Sequence, residues 1–132
     1  MKALFPHEAT TGGIVVRVSA TYLPEQSQPA QGRWFWAYHI RIENGSERTV
    51  QLLTRHWIIT DGNGKVDEVH GEGVVGEQPL IEPGEQFEYT SGAVLETAVG
   101  SMQGRYDMVG EDGTHFDAPI PPFTLSVPRT LH

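Results

Sequence analysis

The chain has 132 residues, enough for one domain with its own hydrophobic core. It contains no cysteine, which excludes disulfides, thiolate metal sites and a cysteine nucleophile and leaves any transition metal to histidine and carboxylate. Nine basic residues against seventeen acids give a formal charge of −8, which argues against non-specific binding to nucleic acid or to an anionic membrane.

Fifteen glycines and nine prolines punctuate the sequence, and no long window has a helical period with caps. The N-terminal stretch Met1–His7 lacks the apolar run of a signal peptide, and no segment approaches the ~20 apolar residues of a membrane span. A cytoplasmic protein is expected. The first ten residues are expected to be flexible, a single domain to occupy residues 11–128, and residues 129–132 to form a tail.

Alternation predicts the first strand over Ile14–Leu23, with Ile14, Val16, Val18 and Ala20 on one face. Gln26–Gly32 is polar and proline-flanked and reads as a loop. The second strand, Arg33–Glu43, puts Trp34, Trp36, Tyr38, Ile40 and Ile42 toward a core, and Asn44-Gly45-Ser46 turns the chain. Thr49–Thr60 is the third strand, with Leu53, Trp57 and Ile59 in phase and Arg55 out of phase, the mark of a bulge. His56 within it reads as a hydrogen-bonded structural histidine. Asp61-Gly62-Asn63-Gly64 leads into a short strand, Val66–His70, and Gly71–Gly84 reads as an ordered loop. Gln86–Ala93 and Ser101–Val109 are strands, with Tyr106 a candidate corner tyrosine bonding backbone. Thr114–Ala118 follows; Pro119, Pro121 and Pro122 then break the ladder at a sheet edge or a crossing, and Phe123–Val127 resumes it. The sum is an all-β fold of about seven or eight antiparallel strands, better matched by a two-sheet sandwich than by a barrel.

Three sets of residues carry candidate chemistry. Gly71, Gly73 and Gly76 fit the G-x-G-x-x-G spacing of dinucleotide-binding loops. A Rossmann site needs a helix directly after the loop, and Pro79 and Pro83 forbid one. The glycines could still form a nest of N–H groups for phosphate, pyrophosphate or a nucleotide. Local charge opposes a bare anion: from Asp61 to Thr90 there are eight acids and one base, Lys65. Positive φ and close strand packing are the competing role for these glycines. Glu68, His70 and Glu72 alternate, so an extended chain points all three to one face, where they could hold a divalent cation, the one cofactor the residues suggest. An ordinary solvated strand face is the competing reading. His115 and Asp117 share a strand face, half of a hydrolytic triad, but the sequence has no G-x-S-x-G nucleophile turn to complete it. Arg33, Arg41, Arg48 and Arg55 lie among Glu43 and Glu47 and read as solvated strand faces rather than a nucleic-acid patch.

The run from His70 to Pro79, followed by Ile81-Glu82-Pro83-Gly84, Phe87–Gly92, Gly100–Tyr106 and, upstream, Arg55–Asp61, closely resembles the ApaG family. The resemblance covers about residue 10 to Pro128. It implies an immunoglobulin or fibronectin type III-like β-sandwich and an association with cobalt resistance and magnesium efflux. It also implies protein–protein interaction, since related eukaryotic domains occur in multi-domain proteins, including F-box proteins and a polymerase-interacting protein. A non-catalytic module with an unidentified protein partner is therefore expected, as a monomer or weak homodimer; the alternative is a phosphate or nucleotide binder using the Gly71–Gly76 loop.

Overall fold

The computed structural model describes residues 5–128. It folds as two antiparallel sheets packed face to face. The strands are β1 (His7–Thr11), β2 (Ile14–Tyr22), β3 (Trp34–Asn44), β4 (Val50–Asp61), β5 (Val66–Glu72), β6 (Leu80–Ile81), β7 (Gln86–Leu95), β8 (Val99–Gly110) and β9 (His115–Ser126). One sheet runs β1-β2-β3-β7; the other runs β5-β4-β8-β9, with β6 also paired to β4. Pro29–Gln31 forms a single 3-10 turn within the expected 26–32 loop. Among the described residues no helix is long and apolar enough to cross a membrane.

The alternating residues meet where their pattern places them. Ile14, Val16, Val18, Trp36, Ile40 and Ile42 from one sheet close on Leu52, Trp57, Met102, Met108 and Leu125 from the other, all buried. Trp36 crosses the gap and donates its indole N–H to the Ser126 carbonyl at 3.0 Å. Tyr38 lies edge-on to Trp57, with ring centroids 5.2 Å apart. Asn44 is buried and fully used: its Nδ2 donates to the Arg48 and Ile81 carbonyls at 2.7 and 2.9 Å, and its Oδ1 accepts from the Ser46 amide. One side chain thus closes the β3–β4 turn and ties β6 to it.

Three features differ from the sequence reading. The domain begins before residue 11, because His7–Thr11 pairs with β2 through a Gly12-Gly13 turn with φ of +56° and +85°. Phe5 is buried ahead of it, 5.4 Å from the His39 ring, with the Arg41 guanidinium over its face. The expected tail, 129–132, lies outside the described residues. The three prolines lie at a sheet edge, one of the two expected placements, but do not break the last strand: β9 is continuous over twelve residues. Its register slips between Met102 and Gly104 of β8, which accommodates the Pro121-Pro122 pair as a bulge. Finally, Tyr106 bonds no backbone. Its hydroxyl meets that of Tyr89 at 2.6 Å in the core, and burial pushes both phenols above their usual range.

Arg55 is the residue that broke the strand pattern, and the register slip between Leu52 and Thr54 explains it. The slip moves the inward face from Val50 and Leu52 before it to Arg55 and Trp57 after it. From there its charge opposes the upward push of burial on Tyr38, Tyr89 and Tyr106. The expected bulge is present, and it turns a charge toward the interior.

Candidate functional site

The glycine loop is built around that arginine. Arg55 Nη1 donates to the carbonyls of Glu72 and Gly73 at 3.1 and 2.8 Å. Gly71 stands opposite Arg55 in the β4–β5 ladder, and a Cβ there would sit 2.6 Å from the guanidinium carbon. Gly73 has φ +63° and would drive a Cβ into the Glu77 carbonyl oxygen. Val75 and Gly76, with φ of +43° and +83°, are the central residues of a tight hairpin closed by Val74 and Glu77. Val74 is buried in the core.

Gly73 and Gly76 therefore answer to backbone geometry, and Gly71 leaves room for the Arg55 guanidinium. The loop's amides are largely spent as well: Gly73 donates to Leu53, Val74 to Glu77 and Glu77 to Val74. An anion nest needs such amides pointing outward together.

The Glu68, His70 and Glu72 set is only partly brought together. In the β4–β5 ladder, His70 stands opposite His56, Glu68 opposite Ile58 and Glu72 opposite Thr54. His56, Glu68 and His70 each offer a ligand atom, and these atoms lie within 4.8 Å of one another; Glu72 is not in this group. His56 Nε2 meets Glu68 Oε1 at 2.7 Å, and the two imidazoles stack with centroids 3.9 Å apart and planes within 11°. His56 is buried, Glu68 and His70 are exposed. The His56 Nδ1 is buried with no hydrogen-bond partner among the described residues.

His56 was read from sequence as structural, and it is hydrogen-bonded. Its membership in the cluster was missed because no one-strand pattern reveals a cross-strand register. The signal that could have found it is antiparallel pairing of Thr49–Thr60 with Val66–His70 through the Asp61–Gly64 turn. Glu72 drops out because it lies on the far side of His70 from Glu68, opposite Thr54.

His115 and Asp117 do not form a pair. His115 Nδ1 lies 3.3 Å from Asp107, while Asp117 lies 3.8 Å from Arg105. Three of the four arginines named for the strand faces are engaged: Arg41 with Glu88 and Glu43, Arg48 with Asp112, Arg55 with the loop carbonyls.

Comparison with known proteins agrees with this architecture. A family model described as the ApaG domain matches residues 24–110. Protein ApaG of Pseudomonas paraeruginosa is 62% identical over 117 residues, covering 89% of this chain and 93% of that protein. Protein ApaG of Nitrosospira multiformis is 60% identical over 119 residues, covering 90% and 94%. Among solved structures, the putative ApaA protein from Bordetella pertussis superposes with a TM-score of 0.86 at 52% identity, covering 89% of this chain and 95% of that one. The chain belongs to the ApaG domain family.

Proposed function

We propose that the domain is a non-catalytic interaction module that docks another protein along the arm formed by β5 and the segment leading to β6. The observation that carries this reading is a concentration of unspent surface. Four of the six exposed large hydrophobic side chains among the described residues, Val66, Val69, Val75 and Leu80, lie between positions 66 and 81. The same arm presents an edge: β5 pairs with β4 on one side, and no described strand covers the other. Edge strands accept an added strand through backbone hydrogen bonds, with alternate side chains setting specificity.

Charge narrows the partner. Positions 66–82 contain Asp67, Glu68, Glu72, Glu77 and Glu82 and no lysine or arginine. An extended partner segment with apolar and basic residues fits such an edge. An association with cobalt resistance and magnesium efflux is read as acting through this partner. The alternative phosphate or nucleotide reading gains nothing from a loop whose Gly73, Val74 and Glu77 amides are already donated to carbonyls.

The test is cross-linking capture from cell extract by the immobilised chain, beside a Val66→Lys/Val69→Lys variant. Lysines on an exposed edge discourage strand addition without removing core contacts. A protein retained by the wild type and lost from the variant is expected. Equal retention by both, or none by the wild type, overturns the proposal; recovery of only a second copy of this chain replaces it with self-association.

A further inference from the structure

We infer that His56, Glu68 and His70 form a binding site for a borderline divalent cation of the Zn²⁺ class on the outer face of the β4–β5 pair. The site is distinct from the set read in the sequence: it exchanges Glu72 for His56, and it is independent of the partner reading.

Three observations carry it. The ligand atoms already lie within 4.8 Å of one another. Two imidazole nitrogens bound to one Zn²⁺ are each about 2.0–2.1 Å from the metal and so at most ~4 Å apart. A shift on the order of 1 Å brings the set into range. Second, the donors are two imidazoles and one carboxylate, a set that suits Zn²⁺ and its first-row neighbours over Mg²⁺ or Ca²⁺, which prefer all-oxygen shells. Third, two imidazoles lie face to face, and only that of His56 is hydrogen-bonded to the carboxylate, through the Nε2 that faces the cluster.

The stack must open for the ion to bind, because an imidazole lone pair lies in the ring plane and the rings are now parallel. The mobile partners are the right ones. His70 and Glu68 are exposed and can turn, whereas His56 is held by burial. The field is favourable, since the flanking arm carries carboxylates and no basic side chain from 66 to 82. Arg105, the register neighbour of His56 on β8, is directed to Asp117 at 3.8 Å. Three protein ligands leave the remaining coordination position to water.

The experiment is calorimetric titration of the metal-stripped full chain with Zn²⁺, followed by imidazole ¹⁵N spectra. Saturable uptake of one equivalent, with ¹⁵N shifts at His56 and His70, is expected. His70→Ala and Glu68→Gln each weaken binding by at least about tenfold, a loss typical of removing an inner or supporting ligand. Both are surface changes, so an unchanged melting temperature verifies the fold. Glu72→Gln leaves the binding unchanged, and Mg²⁺ gives no uptake. No saturation by ~1 mM Zn²⁺, a threshold equal to about 4 kcal/mol of binding, overturns the site. Equal binding by His70→Ala, or shifts confined to His39 or His115, overturns it as well.

Discussion

Each sheet of the sandwich places a histidine against a glutamate on its outer face, and the two pairs have nearly the same length. On the first sheet His39 Nε2 meets Glu88 at 2.8 Å; on the second His56 Nε2 meets Glu68 at 2.7 Å. The surroundings differ. His39 Nδ1 is satisfied by the Thr90 hydroxyl at 2.5 Å, and the other Glu88 oxygen takes Arg41 at 3.1 Å. Arg17 then bridges Glu43 and Glu8, so charge is balanced from β1 to β7. On the second sheet, among the described residues, the His56 Nδ1 has no partner, the neighbour is a second imidazole, and no arginine closes on Glu68. A His–Glu contact is a structural clip where every polar atom has a partner within the chain. It is a candidate ligand site where some do not.

The comparison depends on β5 being held in register, and the largest expected effect comes from releasing it. Gly73→Ala combines left-handed strain, ~1–2 kcal/mol, with collision against the Glu77 carbonyl, ~1–3 kcal/mol. A loss of about 3 kcal/mol lowers the melting temperature by roughly 10 °C for a domain this size. The His70 resonances should move while those of His39 stay, because His39 lies on the other sheet. Arg55→Met comes next. It removes two charged hydrogen bonds to the Glu72 and Gly73 carbonyls, at a cost of ~1–2 kcal/mol, and frees the end of β5. Thermal unfolding and amide exchange of residues 70–77 measure both. Gly76→Ala costs less, about 1 kcal/mol, since a Cβ there meets nothing within 4 Å and only its φ of +83° is strained. If Gly76→Ala proves as damaging as Gly73→Ala, close packing is not what distinguishes the two glycines.

How much of this was legible in the sequence follows from the range of each interaction. Alternation within a strand exposed β2, β3, β7 and β8, because a half-buried sheet writes its face into every second residue. β1 escaped because four of its five residues are polar and none is fully buried; only the Gly12-Gly13 turn marked it. The prolines of β9 misled because Pro is a breaker only where its missing N–H is needed, and an edge strand with a bulge does not need it. The phase break at Arg55 was readable as a bulge, but its consequence, a guanidinium over Gly71, depends on which strand lies opposite. The same holds for the candidate site. Glu68 and His70 were visible as neighbours on one strand, while His56 joins them only through register. The glycine spacing was the most conspicuous motif in the chain, and it encodes a hairpin.

The smallest effect tests the closed side of the comparison. The hydrogen bond from His39, and then those from Arg41, hold the Glu88 carboxyl below its ordinary range. A depressed folded-state value means the unfolded chain takes up the proton first as pH falls. The stabilisation is therefore present above the ordinary carboxylate value and is lost as pH falls through the folded one. Glu88 is about a third exposed, 32%, so solvent screening limits the effect to a few tenths of a kcal/mol. Glu88→Gln should thus lower stability slightly at pH 7, and the gap from the wild type should close under acid. Salt should narrow it too. Denaturant unfolding at pH 7 and pH 3 measures this directly. A gap that persists at pH 3 would mean that Glu88 acts through packing. The closed network would then owe its order to the Phe5 ring lying over His39 and Arg41 rather than to charge.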